Sequence, residues 1–296
     1  MTPPLRTPVS ARRALASGVT AYALWGLFPL YWPLLRPATA PEILSHRIVW
    51  SFVVVAAALL VLRTPWVWLR SVFTRADLPR LVAASVFIAI NWLTYIWSVN
   101  AGYVVEASLG YFINPLVNVA LGVLLFGETM TRGARLGGLL ALLGVVVIAA
   151  EHAGTLWVSL LLAFSFGFYG VAKKKAHLPA LPGLLVESGL LLPAACAYLA
   201  WLHASGAGEF GRTASGSGLL VLSGLITALP LWLFAVAAPR LPLGVVGMLQ
   251  YLAPTIQFVL GITVFGQHVS ASYWVGLVCV WSGSMMYLVL TLRSRR

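Results

Sequence analysis

The fold this sequence predicts is an all-α integral membrane protein of ten transmembrane helices, arranged as two inverted five-helix repeats. Three observations predict it. The 296 residues are 60% hydrophobic and only 9% charged, with a mean hydropathy of +0.94. A soluble domain carries about 25% charged residues, and so few charges could not cover a soluble surface. The apolar residues fall into ten runs near the ~20 residues that a helix needs to cross a bilayer. The basic residues cluster in alternate gaps between those runs.

The runs are 16–36, 42–62, 80–100, 103–126, 133–150, 154–172, 183–203, 217–238, 243–265 and 271–292. Barrel strands would be about 10 residues long with alternating polarity; these runs are longer and uniformly apolar. Span 1 follows Arg12 and Arg13, as the core of a signal peptide would. It is too long for such a core, contains Pro29 and Pro33, and ends in no small-x-small cleavage pattern, so it is read as a retained helix. Residues 1–15 then form an N-terminal tail, 16–150 the first five-helix repeat, 154–292 the second, and 293–296 a C-terminal tail.

With the N-terminus inside, sixteen of the 19 basic residues fall in inner segments. These are Arg6, Arg12 and Arg13; Arg63, Arg70, Arg75 and Arg80; Arg132 and Arg135; Lys173, Lys174 and Lys175; Arg240; and Arg293, Arg295 and Arg296. Arg36 and Arg212 fall outside, and Arg47 lies within a span. This is the positive-inside bias that sets membrane orientation. It predicts cytoplasmic N- and C-termini in the cell's inner (plasma) membrane. It also accounts for the net charge of +12 without nucleic acid. The Arg-rich ends are read as anchors to anionic lipid. Cys196 and Cys279 lie in apolar runs and are read as packing residues.

The repeat is visible in the residues. "YFINPLVNVALGVLLFGE" (111–128) aligns with "QYLAPTIQFVLGITVFGQ" (250–267) at a constant offset of 139. Pro115 meets Pro254, Asn118 meets Gln257, Gly122 meets Gly261, and Phe126-Gly127 meets Phe265-Gly266. "PEILSHR" from Pro41 matches "PGLLVES" from Pro182 more weakly, at offset 141. Five spans per copy is odd, so the second copy enters from the opposite face, a construction found in secondary transporters. Gln267 and Ala253 depart from Glu128 and Asn114, so the halves are not expected to contribute equally.

Two five-helix halves, each ending in a proline, a glycine and a Phe-Gly before one further helix, resemble the paired EamA domains of the drug/metabolite transporter superfamily. Within it, "WGLFPLYWPLL" (25–35), "EILSHRIVWS" (42–51), "NWLTYIWSVN" (91–100), "EASLGYFINPLVN" (106–118) and "LAFSFGFYGVAKKK" (162–175) resemble the RarD family. The resemblance spans nearly the whole chain. It implies a ten-helix transporter of small organic metabolites or drugs in the bacterial inner membrane, with export as the direction. The family's name refers to chloramphenicol sensitivity.

Span 4 holds the most informative polar residues. At about 100° per residue, Glu106, Gly110, Asn114 and Asn118 share one third of the circumference, opposite Leu116, Val119 and Val123. Such a stripe must face protein or a water-filled cavity. It reads either as a substrate or ion path or as interhelical glue. Pro115 leaves the carbonyl of Tyr111 without its helical donor. Pro115 and Pro254, with Gly122 and Gly261, read as shared helix-break architecture. In the second half only Gln257, joined by Gln250, is polar at the matching places.

Span 2 carries Glu42, His46 and Arg47. A charge at the bilayer centre costs at least ~2.5 kcal/mol, so Arg47 and Glu106 are expected to pair. The alternatives are that Arg47 snorkels to head groups or faces a cavity, where it would attract an anionic substrate group. Glu187 on span 7 corresponds to His46 by the 141 offset, an arrangement suited to proton coupling unless Glu187 lies in interfacial water. Span 3 presents Asn91, Thr94, Tyr95 and Ser98 on one face, and Trp25 with Trp92, Trp97 and Tyr111 could line a cavity for an amphipathic solute or anchor the interface. Gly133, Gly137 and Ala141 permit close helix contact, within the chain or in a homodimer.

Three function classes remain to be weighed. A membrane enzyme would need a nucleophile with a base, or clustered metal ligands. There is no HExxH, no carboxylate pair at catalytic spacing and no phosphate-binding glycine loop. No metal or other cofactor is expected. A structural or sensory subunit has little need for a repeat with asymmetric polar stripes. The sequence therefore predicts a secondary transporter working by alternating access, with its site between the halves, built from spans 2, 3, 4, 7 and 9. Partners would be a small-molecule substrate and membrane lipid.

Overall fold

The computed structural model describes residues 11–64, 77–127, 132–176 and 180–294, and the described residues are helical with no strand. Arg6, Arg70, Arg75, Arg295, Arg296 and Glu128 lie outside them. Eight segments are long and apolar enough to cross a membrane: Ala11–Leu35, Ala40–Val61, Leu78–Asn100, Val104–Leu125, Gly154–Lys173, Ala180–Ala204, Ala214–Arg240 and Val245–Thr263. A shorter apolar stretch covers Arg135–Ala150. Helix is the form such segments take because each pairs its own backbone groups where no water can.

The elements are α1 (Ala11–Tyr31), which tightens into a 3-10 turn at Trp32–Leu35, then α2 (Ala40–Val61), α3 (Leu78–Asn100) and α4 (Val104–Phe126). Next come α5 (Arg132–Ala176), α6 (Ala180–Ala204), α7 (Ala214–Ala237), α8 (Leu243–Leu249), α9 (Leu252–Thr263) and α10 (Ala271–Ser294). Local chemistry sets the ends. Pro41 sits in the first turn of α2 and Pro79 in that of α3, where a missing N–H costs nothing. The Thr213 hydroxyl caps α7 by accepting from the Gly216 N–H at 3.1 Å.

The glycines of the two Phe-Gly motifs share a left-handed φ. Gly127 ends α4 at φ 64°, and Gly266 follows α9 at φ 63°. The Gly127 N–H returns to the Val123 carbonyl at 3.1 Å, and the Gln267 N–H to the Gly261 carbonyl at 2.9 Å. Left-handed φ is what a helix C-terminus requires there, and only glycine takes it without strain.

The prolines differ. α4 continues through Pro115, whereas the second-half helix is interrupted at Gln250 and Tyr251, between α8 and α9, with Pro254 one turn further on. Pro254 cannot donate to the Gln250 carbonyl, and this half breaks at that point. The helix break expected of both halves is thus present in the second alone.

The helical backbone of α5 runs unbroken over 45 residues, where two spans were expected. Its packing nevertheless reverses direction. Gly137 lies against Gly283 and Tyr287, and Gly144 against Gly276, so the first part runs antiparallel to α10. Gly110 lies against Ser159 and Leu162, and Gly167 against Val117 and Leu121, so the later part runs parallel to α4. α4 and α10 are themselves parallel: the Tyr273 hydroxyl lies 3.5 Å from the Val105 carbonyl, and Phe112 meets Trp281 edge-on at 5.4 Å between ring centroids. A straight helix would separate residues 140 and 163 by about 34 Å. The two parts of α5 thus pack in opposite directions along α10 and α4, on either side of residues 148–159.

The glycines of α5 and α10 interlock. A Cβ on Gly283 would stand 2.5 Å from the Ala141 nitrogen and the Gly137 carbonyl oxygen, and one on Gly144 would stand 2.4 Å from the Gly276 carbonyl oxygen. The small residues at 133, 137 and 141 are thus used within the chain. Elsewhere α2 packs between α6 and α7, and α1 lies across α7 and α9.

Candidate functional site

Arg47 is 3% exposed, in the middle of α2. Its guanidinium lies over the face of Trp92 from α3 at 3.9 Å, with Trp32 at 5.2 Å and Phe28 of α1 at 5.8 Å. The Arg47 Nε–H donates to Thr227 Oγ1 of α7 at 2.8 Å. Tyr95 and Tyr111 lie edge-to-face at 5.5 Å in the adjoining packing. Among the described residues no carboxylate forms an ion pair with Arg47. The expected pair with Glu106 is absent, and burial also excludes snorkelling. An aromatic cage takes the place of the counter-ion: a desolvated cation over an aromatic face gains ~2 kcal/mol, comparable to the ~2.5 kcal/mol cost of a charge at that depth.

Three donors of this cluster have no partner: Arg47 Nη1, the Tyr95 hydroxyl and Trp32 Nε1. Tyr111 donates to Asn91 Oδ1 at 3.1 Å, and the Tyr31 hydroxyl donates to the Leu219 carbonyl. Asn91 in turn donates to the Leu162 carbonyl at 3.0 Å and Ser165 Oγ at 3.1 Å of α5. Asn91 therefore ties α3, α4 and α5 together, with its hydrogen bonds satisfied.

The α4 stripe packs on the later part of α5. Ser159 Oγ–H donates to the Glu106 carbonyl at 2.6 Å, Gly110 lies against Ser159, and exposed Asn118 stands beside Gly167 and Gly170. Asn114 is 7% exposed with its carbonyl oxygen unpartnered. Glu106 sits in the first turn of α4, a favourable place for a carboxylate against the helix dipole. Its Oε2 accepts from Gln267 at 3.1 Å, and Gln267 Oε1 accepts from the Val105 N–H at 2.9 Å. Gln267 thus clamps the start of α4. Gly261 leaves room for it, since a Cβ there would stand 2.7 Å from Val105 Cγ2. Gly122 is buried in α4.

Glu187 lies 2% exposed in α6 and pairs with Lys173 Nζ at 2.8 Å, which also donates to the Tyr169 hydroxyl at 2.7 Å. Interfacial water is excluded for Glu187, and Lys173 leaves the inner-loop set to become its half-buried counter-ion. Gln257 donates to the Trp25 carbonyl at 3.1 Å and keeps an unpartnered oxygen; Trp25 packs on Tyr22 and Phe234. Gln250 is exposed at the break before α9.

At the end of the bundle formed by turns 36–39, 101–103 and 205–213, Glu42 Oε1 accepts from the Glu209 N–H at 2.6 Å and the Phe210 N–H at 3.3 Å. His46 stacks on Phe210 at 4.7 Å, with neither ring nitrogen partnered. Both line a cleft of about 690 Å³ with Trp50, His203 and Arg212. The described residues hold no cluster of potential metal ligands.

The cage therefore draws on α1, α2, α3, α4 and α7, not on the second-half spans 7 and 9. Phe28, Trp32 and Thr227 were missed in the sequence. Their signal is the apolar face of α1 and a lone threonine near Pro230, and neither stands out among similar residues.

The described residues thus form a bundle of apolar helices, several long enough to cross a membrane, around a buried cation that no carboxylate among them pairs with, and comparison with known proteins places such a chain among membrane transporters. A model of the EamA-like transporter family matches residues 13–150. Protein RarD of Streptomyces exfoliatus is 45% identical over 96% of this chain and 91% of its own. The uncharacterized transporter YojE of Bacillus subtilis is 42% identical over 93% of both, and Protein RarD of Escherichia coli is 36% identical over 96% and 97%. A crystal structure aligns over 96% of this chain and 99% of its own with a TM-score of 0.60 at 20% identity, a likeness of fold. The chain belongs to the RarD family of EamA-like transporters.

Proposed function

We propose that this protein is a secondary exporter of small organic solutes in the inner membrane. It works by alternating access between two inverted five-span halves, with both termini cytoplasmic. The carrying observation is the buried Arg47, held on aromatic faces with a free donor, in a chain of a transporter family. Three features favour the ten-span repeat. The eight long apolar segments are joined by Arg135–Ala150 and by α10, which gives ten. The two parts of α5 pack in opposite directions along α10 and α4. Gly127 and Gly266, related by the 139 offset, share a left-handed φ near a helix end.

The coupling ion in this reading is the proton, and Glu106 is its carrier. Of the two carboxylates suited to that role, Glu187 is held by the cation of Lys173, whereas the Glu106 side chain accepts from the neutral Gln267. Purified protein in proteoliposomes, screened for flux of a metabolite and drug panel, tests the proposal. Solute should leave the protein's inner side unchanged, and faster with a proton gradient in wild type than in Glu106→Gln. Flux equal to empty liposomes for every solute would refute transport. Chemical conversion of a solute would mark an enzyme instead.

A further inference from the structure

The geometry points to Arg47, with the Tyr95 hydroxyl and Trp32 Nε1, as a recognition site for the carboxylate of an organic anion with an apolar body. The argument starts from what the three groups can do. Guanidinium and indole N–H groups donate and cannot accept. Arg47 Nη1, Trp32 Nε1 and the Tyr95 oxygen are each buried without a partner. The neighbouring acceptors are occupied: Thr227 Oγ1 by Arg47 Nε, Asn91 Oδ1 by Tyr111, and the Leu219 carbonyl by Tyr31. A cluster with donors to spare and a positive charge lacks one thing, an anionic acceptor.

The described residues do not supply it. Glu42 accepts backbone N–H groups of Glu209 and Phe210, Glu106 binds Gln267, and Glu187 pairs with Lys173. An apolar side chain at position 47 would pack at this depth without the charge, so packing alone gives no reason for arginine. Carboxylate oxygens match the guanidinium fork. The faces of Trp92, Trp32 and Phe28 around it suit an apolar body rather than a hydrated one. The cage is closed here, with Arg47 3% exposed, so the ligand enters in another state of the transport cycle. In that respect the inference rests on the transporter reading.

The test uses the full chain in lipid nanodiscs. Phenylacetate and its neutral isostere phenylacetamide are titrated, and ligand-induced thermal stabilisation is measured. Phenylacetate should stabilise saturably and bind about tenfold or more tighter than the amide, as one charge-assisted hydrogen bond requires. Arg47→Gln should abolish that preference. Arg47→Met should melt no lower than wild type in the absence of ligand, as expected where an uncompensated buried charge is removed. Should the Arg47 variants fail to fold, Tyr95→Phe keeps the ring and removes one donor. It should weaken the acid about tenfold and leave the amide unchanged. Equal affinity for acid and amide, no saturable stabilisation by phenylacetate, benzoate or hexanoate, or a folded Arg47→Gln that binds like wild type would each overturn the site. Binding without flux leaves the site standing and sinks transport. Flux indifferent to charge sinks the site alone.

Discussion

At the residue scale the decisive contrast is between a half-buried cation and a fully buried one. Lys173 has a carboxylate 2.8 Å away, whereas Arg47 has, among the described residues, rings and a hydroxyl. Removing one member of a buried pair strands the other, at about 3 kcal/mol or more. Glu187→Leu should therefore destabilise the protein by about that amount, and Lys173→Met alone by a similar amount. The double variant should recover most of the loss, because it leaves no stranded charge. Thermal unfolding of the three variants in one detergent checks this; additive losses would show that the two side chains act independently. Neither pairing was legible in the sequence. Lys173 opens a run of three lysines that reads as an inner loop, and its partner lies fourteen residues on across a turn. Arg47 was recognisable as costly, and the nearest carboxylate by depth was the natural guess. The cage that replaces it comes from positions 28, 32, 92 and 227, which no local pattern connects.

At the element scale, what could be read were the features that act over one or two turns. Most apolar runs marked helices to within about five residues, but 133–150 and 154–172 share the one helix α5, and 243–265 is divided between α8 and α9. The Phe-Gly motifs marked helix ends, since left-handed φ is a local demand met by glycine. Pro115 and Pro254 could not be told apart, because a proline loses one hydrogen bond in either case and only the surrounding packing decides whether the helix opens. The small residues of α5 were seen, but not their partner. In α10 that partner presents Gly276 and Gly283, which bring backbones into contact. Gly283→Leu would drive side-chain atoms into the backbone of Gly137 and Ala141, and overpacking of this kind costs about 1–3 kcal/mol. It should lower the unfolding midpoint clearly, while Ser282→Leu, on the exposed face of the same helix, should stay near wild type. A Gly283→Leu protein as stable as wild type would mean that α10 can move away from α5 at little cost.

At the scale of the whole molecule, the reversal inside α5 determines the count of crossings. If α5 crossed once, its 45 residues would reach about 67 Å, more than twice the ~30 Å hydrocarbon core. Polar groups such as Glu151 would then lie far from any interface on one of the two sides. If it folds back, as its contacts with α10 and α4 indicate, Gly154 comes to the membrane surface on the face opposite Arg132. The positive-inside pattern favours the same reading by a route that uses no coordinates: Arg132, Lys174 and Lys175 fall on the inner side only if the chain crosses twice between them. Charge bias reports on how the chain inserts, whereas helical hydrogen bonding reports only on the local backbone. Single cysteines in a Cys196→Ala, Cys279→Ser background decide the matter in intact cells with a membrane-impermeant maleimide. Gly154→Cys and Ala207→Cys should react from outside. Arg132→Cys and Arg240→Cys should react only after permeabilisation. A protected Gly154→Cys beside a reactive Ala207→Cys would mean a single crossing by α5, and the second half would then lose its inverted relation to the first.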